Sequence, residues 1–140
     1  MVNKVIDGMA EAINGAFGDE VEIYIEPVKQ GLVPTSFTIR ALDSHIDRFL
    51  NNRFKRTCLM EVNYFPADEL NPRTEIQSKI EALFNALEVI NVGEGKVRGI
   101  QADYKIVDDV LVAVVKYVFY TYKIEDKEYM EELTQEINAK

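Results

Sequence analysis

Apolar and polar residues follow regular periods along most of the chain, and the longest apolar run extends from Val110 to Tyr122. β-Branched and aromatic residues dominate this run and only Lys116 is charged, so it predicts a central strand and is too short for a membrane helix. With a period of two, the even-numbered residues 112–122 share one face and the odd-numbered residues 111–121 share the other. Both faces are mostly apolar. We therefore expect helices to cover one face and a further partner, such as another subunit, to cover the other.

Two segments have the apolar spacing of amphipathic helices. In residues 2–17 the apolar positions recur at helical intervals, and Gly18 follows where a helix commonly ends. The second segment begins at Asn71 and Pro72, which suit the N-cap and the first turn. Its apolar stripe consists of Ile76, Ile80, Leu83, Phe84 and Leu87. Each stripe is typical of a helix packed against a core.

Other segments alternate with a period of two or are short apolar runs, which predicts strands. These strands are expected at residues 19–26, 36–42, 57–65, 89–92 and 97–107. The first two are predicted to pair as a hairpin, with Ile25 and Ala41 facing inward, and residues 43–45 are predicted to form a turn. Cys58 is expected to face the core as a small apolar residue. Residues 97–107 are predicted to form a long antiparallel ribbon with the central strand.

The order of these segments is α-β-β-β-α-β-β-β, followed by a polar tail. It predicts an α+β domain with a mainly antiparallel, mixed β-sheet and two amphipathic helices packed on one face. We expect residues 1–124 to form a single domain. Residues 125–140 are expected to be an acidic C-terminal tail or a short helix, because the apolar residues from Tyr129 to Ile137 have helical spacing.

Composition restricts the classes of function. The chain has 140 residues, of which 47% are hydrophobic and 29% charged, as is ordinary for one globular domain. Its formal net charge of −8 disfavours general binding to nucleic acid or to an anionic membrane, since both require a basic surface. The first residues lack the pattern of a signal peptide and Cys58 is the single cysteine, so we expect a protein that stays in the cytoplasm.

No spacing of residues predicts a catalytic or metal site. Asp43, Ser44 and His45 are the residue types of a hydrolase triad, but consecutive residues point in different directions. His45 is the only histidine, which excludes a paired-histidine zinc site. The glycines of residues 93–99 spell GxGxxxG and precede a strand, so they predict a hairpin turn rather than a phosphate site. We therefore expect no enzyme activity, no cofactor and no metal.

Residues 40–56 form a basic segment within this acidic chain, with five basic side chains against two acidic ones. Phe49 and Phe54 lie among the basic residues. Three interpretations remain open for the segment: a solvated hairpin loop, a contact with an acidic protein surface, and a contact with nucleic acid.

Four stretches of the chain are similar to one known family. The amphipathic opening helix leads into GDEVEIYIEPVKQGLVPTSFTI, and the later stretches are RFKRTCLMEVNYFP, IEALFNALEVI and VRGIQADYKIVDDVLVAVVKYVFYTYK. Together they span nearly the whole chain and resemble the small tail-terminator proteins that prophages of Gram-positive bacteria encode. They are framework patterns and contain no catalytic motif.

The resemblance implies a structural protein of the phage virion. Such a protein would assemble as a ring, typically a hexamer, on the head-proximal end of the tail tube, where the ring ends tube polymerisation and provides the joining surface for the head–tail connector. The implied partners are further copies of the chain, the tail tube protein and the head–tail connector protein, without a membrane or sequence-specific nucleic acid. The implied location is the host cytoplasm during assembly and the virion tail afterwards.

Two other functions remain open beside this one. Another head–tail neck or connector component would share the small size, the acidity and the ring assembly. A small-ligand-binding domain or enzyme on the same α+β scaffold would need a deep pocket with convergent polar side chains, and the sequence offers no such cluster.

Two sets of residues are candidates for protein interfaces. Residues of the basic segment are expected to meet an acidic surface of a neighbouring subunit or tail protein; they are Arg48, Arg53, Lys55 and Arg56. Residues on one face of the central strand are expected to line the ring or the contact with the tube; they are Lys116, Tyr120 and Tyr122.

Overall fold

Two helices and one β-sheet make up the part of the chain that the computed structural model describes, residues 1–18, 21–25, 35–48, 50–124 and 127–130. The elements are α1 (Val2–Phe17), β1 (Glu22–Tyr24), β2 (Ser36–Arg48), β3 (Arg53–Phe65), α2 (Pro72–Glu88), β4 (Val89–Val92), β5 (Gly95–Val107), β6 (Val110–Ile124) and β7 (Lys127–Met130). The strand order is β1-β2-β3-β6-β5-β4, and β7 also pairs with β6. Among the described strands, only β1 and β2 pair in parallel. The predicted α+β class with a mainly antiparallel, mixed sheet is confirmed.

The strand β6 divides the sheet into two different faces. Its odd-numbered residues 111–121 are buried, and its even-numbered residues 112–122 are only half-buried. One side of β6 pairs with β3, and the other side pairs first with β5 and then with β7. The predicted alternation and the predicted ribbon of β5 and β6 are therefore confirmed.

Both described helices pack on the face that carries the odd-numbered residues of β6. In α1, the ring of Phe17 lies 5.1 Å from that of Phe37, centroid to centroid. Phe37 is the register partner of Tyr64, which is itself the partner of Leu111 of β6, so all three strands present these residues to the helices. The helices contribute to the core Val5, Ile6, Met9 and Ile13 from α1, and Ile76, Leu83 and Leu87 from α2. The prediction that two amphipathic helices share one face is confirmed.

Hydrogen bonds attach α2 to the sheet at both of its ends. Near the start of α2, the Tyr64 hydroxyl donates to Glu75 Oε2 at 2.5 Å. Near its end, the Tyr117 hydroxyl donates to the carbonyl oxygen of Leu87 at 2.6 Å. Burial raises the pKa of both tyrosines, and the nearby Glu75 raises that of Tyr64 further, so both hydroxyls remain donors. These bonds fix the position of α2 along the sheet.

The predicted hairpin of the first two strands is wrong. β1 and β2 pair in parallel, from Glu22 beside Ser36 to Tyr24 beside Thr38. The connection of about a dozen residues between them is long enough for the crossover that parallel strands require. β1 is also shorter than predicted, and Ile25, expected to face inward, is 40% exposed. The predicted strand positions 19, 20 and 26 lie outside the described residues.

The end of the chain also departs in part from expectation. Residues 127–130 form β7, which pairs antiparallel with β6, with Tyr129 beside Tyr122 and Met130 beside Thr121. The helical alternative is therefore wrong for Tyr129 and Met130, because the hydrogen bonds available along the edge of β6 favour a strand there. Residues 131–140 of the predicted tail lie outside the described residues.

Helix α1 approaches β4 closely at one glycine. A Cβ atom on Gly8 would overlap the backbone carbonyl oxygen of Asn91, whereas a Cβ atom on Gly15 of the same helix would meet nothing within 4 Å. The absence of a side chain at Gly8 thus allows the helix backbone to pack directly on the strand.

We expect Gly8→Ala to lower the free energy of unfolding by about 1–3 kcal/mol, the usual cost of forcing additional atoms into a packed interface. Gly15→Ala is the matched control in the same helix and should raise it by about 0.5–1 kcal/mol, because alanine has the higher helix propensity. Urea denaturation followed by circular dichroism measures both values. Equal changes in the two variants would contradict the close contact at Gly8.

The anchoring of α2 should depend on pH through Glu75. Burial by itself raises the pKa of Glu75, but hydrogen bonds from Tyr64 and from the backbone N–H groups of Asp68 and Ala67 lower it by more, so its pKa lies below the ordinary 4.5. A carboxyl whose pKa is lower in the folded state stabilises the fold above its unfolded pKa, and this contribution is lost as the pH falls through the folded pKa. The stability difference between the wild type and Glu75→Gln should therefore be largest at neutral pH and shrink below about pH 4.5. Denaturation at a series of pH values tests this, and a difference that stays constant down to pH 3 would refute it.

Candidate protein-interaction surface

The face of the sheet opposite the helices is covered by no helix of the described chain, and we call it the open face. Each of its strands contributes alternate residues, as the register of the sheet requires. Its members are Thr38, Arg40, Asp43, His45 and Asp47 of β2, Arg53, Lys55, Thr57, Leu59, Glu61 and Asn63 of β3, Gln101, Asp103 and Lys105 of β5, and the even-numbered residues 112–122 of β6.

The open face contains a groove of about 600 Å³ that four strands line. Apolar side chains occupy its middle, namely Leu59, Val114 and Val118, and the neighbouring Ile100 of β5 is 58% exposed. Charged side chains of both signs surround them; they are Asp43, Asp47, Lys55, Asp103 and Lys116. An accessible apolar strip bordered by charges of both signs is typical of a surface that binds another protein.

Five of the seven predicted interface residues lie together on the open face. Lys55 pairs in register with Tyr120, and Arg53 pairs with Tyr122. Lys116 lies further along β6, beside Leu59 of β3. The structure therefore brings basic residues of β3 and the predicted residues of β6 into one continuous band.

The other two predicted interface residues, Arg48 and Arg56, lie on the opposite face. The Arg56 Nε atom donates to Thr121 Oγ1 at 3.0 Å, and the Thr121 side chain is fully buried. Burial lowers the pKa of Arg56 from its ordinary value, with a smaller opposing effect of Cys58. The Arg48 guanidinium carbon lies 5.6 Å from the centroid of the Phe54 ring. Both arginines therefore contact side chains of their own subunit on the face opposite the band.

The basic segment is a pair of strands rather than a loop. β2 continues to Arg48 and β3 begins at Arg53, so the predicted turn at residues 43–45 is wrong and the chain reverses between Arg48 and Arg53. A bulge between Ala41 and Asp43 shifts the register. Ala41 pairs with the buried Met60 on the helix-facing side, as predicted, but is itself exposed. An exposed hairpin has polar residues on both faces, so the hydrophobic alternation that identifies a strand is absent from its sequence.

The residue types of a hydrolase triad do not meet. Asp43 and His45 lie on the open face, but Ser44 pairs with Cys58 on the other face. His45 Nε2 lies 3.9 Å from Asp47 Oδ2, and both side chains are more than half exposed. Cys58 is buried, as predicted, and burial raises the pKa of its thiol, with a smaller opposing effect of Arg56. Such a thiol is a poor nucleophile.

Two further properties hold for the described residues. Their His, Cys, Asp and Glu side chains do not form a group of three or more that could hold a metal ion. No helix among them combines the length and the apolar character needed to cross a membrane.

The sequence interpretation missed the β2 side of the groove. Asp43, His45 and Asp47 alternate along β2, and this period of two was the available signal once the segment is taken as a strand. Ile100 was missed because a bulge between Gly99 and Gln101 exposes it, and a single sequence contains no clear marker of a bulge.

One family model matches nearly the whole chain. It is described as phage tail terminator protein and covers residues 4–129. No curated protein matches the sequence. One solved structure, whose title is only a sequence identifier, is 12% identical and matches 86% of this chain and 97% of its own length, with a TM-score of 0.34. Similarity at that level does not establish a shared fold.

The two faces of β3 should respond differently to loss of charge. Arg56→Gln should destabilise the fold by about 1–3 kcal/mol, because it removes a charged donor to the buried Thr121 hydroxyl. Lys55→Gln is the matched control on the neighbouring residue of the open face and should change stability by less than about 0.5 kcal/mol. Thermal and urea denaturation measure both. A cost at Lys55 equal to that at Arg56 would contradict the assignment of faces.

Proposed function

Because the chain belongs to the phage tail terminator protein family and is therefore a structural protein of the phage tail, we propose that it caps the head-proximal end of the tail tube. In this role it ends polymerisation of the tube and provides the joining surface for the head–tail connector. The predicted membership of a tail-terminator family is confirmed. The proposed partners are further copies of this chain in a hexameric ring, the tail tube protein and the connector protein. The proposed location is the host cytoplasm during assembly and then the virion tail.

The observation that carries this proposal, beyond the family, is the open face of the sheet. A cap must bind the last ring of the tube through a surface that remains accessible in the free protein. The half-buried residues Val114 and Val118 provide apolar contact area, and Lys55 and Lys116 provide charges for selecting a partner. The helix-covered face, in contrast, is filled by the core.

The two sides of the molecule also suit assembly into a ring. A ring requires heterologous contacts, in which one surface of a subunit meets a different surface of the next. The sheet has different strands at its two ends, with β1 and β2 on one side and β4 and β5 on the other. A head-to-tail arrangement can therefore use both sides without requiring them to be alike.

Electron microscopy of particles from a strain that lacks the gene tests the proposed function. Abnormally long tails without heads are the expected result, because tube growth would continue unchecked. Tails of normal length without heads would instead indicate a connector or another neck component, and intact infectious particles would refute a structural role in the neck.

Complementation of that strain tests the open face. Lys116→Glu should fail to restore normal tail length, since it reverses a charge at the groove. Arg73→Glu is the matched control, because it makes the same change of charge at an exposed position of α2. Circular dichroism confirms that both variants fold. A folded Lys116→Glu protein that restores tail length as fully as the control would contradict the role of the open face.

A further inference from the structure

Two long strand edges of the sheet have no strand partner among the described residues. β1 pairs only with Ser36–Thr38 of β2, and residues 40–48 of β2 are exposed throughout. β4 pairs only with Gly95–Arg98 of β5, and residues 100–105 of β5 are exposed as well. Each edge therefore presents a row of backbone N–H and C=O groups that another strand can bind.

Both edges also carry exposed apolar side chains. On β2, Leu42 is 42% exposed and Ile46 is 54% exposed. On β5, Ile100, Tyr104 and Val107 are 58%, 53% and 42% exposed. Monomeric proteins often protect a long edge with a proline or a covering segment, and neither edge contains a proline. The exposed apolar residues on both edges agree with edges that are covered in an assembly.

We propose that these edges join neighbouring copies of the chain, with residues 40–48 of one copy pairing antiparallel with residues 99–107 of the next. The direction follows from the sheet, because β2, β3, β6 and β5 alternate in direction and a β5 edge placed beside β2 continues that alternation. The edges are equal in length, and each contains one bulge, between Ala41 and Asp43 and between Gly99 and Gln101.

The charges agree with this pairing. When the two edges overlap fully and each bulge keeps its place, Asp43 lies opposite Lys105 of the neighbouring copy, and His45 lies opposite Asp103. Asp47 then lies opposite Gln101, whose amide can donate to the carboxylate. Opposite charges and hydrogen-bonding pairs at directly facing positions stabilise antiparallel strands, whereas like charges there destabilise them. On the other face, Ile46 lies beside Ala102 and diagonally from Tyr104, which buries exposed apolar surface.

The contact is heterologous, so repetition of it forms a closed ring or an open filament. This inference deepens the proposed ring at the tail end and rests on that function. It assigns the subunit contact to the sheet edges and leaves the open face for the tube or the connector.

Disulfide cross-linking of an Asp43→Cys/Lys105→Cys variant tests the pairing. Within one chain, these residues lie on strands three spacings apart, roughly 14 Å, so an internal disulfide cannot form. The native Cys58 is 2% exposed and does not compete. The variant replaces the wild-type protein in the deletion strain, the purified tails are oxidised, and a non-reducing gel separates the products. Asp43→Cys/Tyr104→Cys is the matched control, because Tyr104 lies on the other face of β5.

We expect a ladder of cross-linked chains beyond the dimer from the first variant, lost on reduction, and no ladder from the control or from either single cysteine variant. Tails of normal length without that ladder would overturn the inference while leaving the proposed function intact. A dimer from Asp43→Cys alone would overturn it too, since it would show two β2 edges pairing with each other. Normal tails in the deletion strain would refute the proposed function separately.

A charge exchange provides a second test that needs no oxidation. Asp43→Lys and Lys105→Asp should each reduce the recovery of normal tail length, and the double variant should restore it. Two single variants that assemble as well as the wild type, or a double variant no better than either, would count against the pairing.

Discussion

Hydrogen bonds occupy both edges of β6, and the two described helices bury one of its faces. These two conditions organise the remainder of the structure. Leu111, Val115 and Tyr117 line the core on the side of the sheet. β3 and β5 lie beside β6 because an apolar strand at the edge of the sheet would leave its backbone unpaired. The helices pack on this apolar surface, and hydrogen bonds from Tyr64 and Tyr117 fix α2 near its two ends.

Among the described residues, the open face is covered by no helix, and most of the outer edge of β2 and of β5 has no strand partner. On these three surfaces, the part of the chain that the structure describes contains no group of three or more His, Cys, Asp or Glu side chains that could hold a metal ion. All three combine apolar side chains with charges of both signs, which suits contacts with other protein subunits. The family of phage tail structural proteins provides a physical reason for such surfaces, since a subunit of a tail must have neighbours.

The hairpin of β2 and β3 was predicted from the sequence in one half and not in the other. Its half nearest the helices was recognised, because Phe37, Ile39 and Val62 alternate with polar residues. Its distal half was interpreted as a turn and a basic loop, because an exposed hairpin has no apolar face to reveal its period. In the distal half, β3 pairs with β6, which is distant in sequence, and this pairing places Lys55 and Arg56 on opposite faces of the sheet.

The spacing of apolar residues along the sequence predicted the fold class, both helices and the alternation of β6 with one face inward. These features depend on the exclusion of apolar side chains from water, which sets the period at which apolar residues recur along a helix or strand. That period can be identified from neighbouring residues alone. The tertiary structure alone decided that β1 lies parallel to β2, that bulges occur after Ala41 and Gly99, and that Arg53 and Lys55 share a surface with Lys116. Those features depend on hydrogen bonds between segments far apart in the chain. The sequence of a single strand and of the residues that flank it does not indicate which other strand will pair with it.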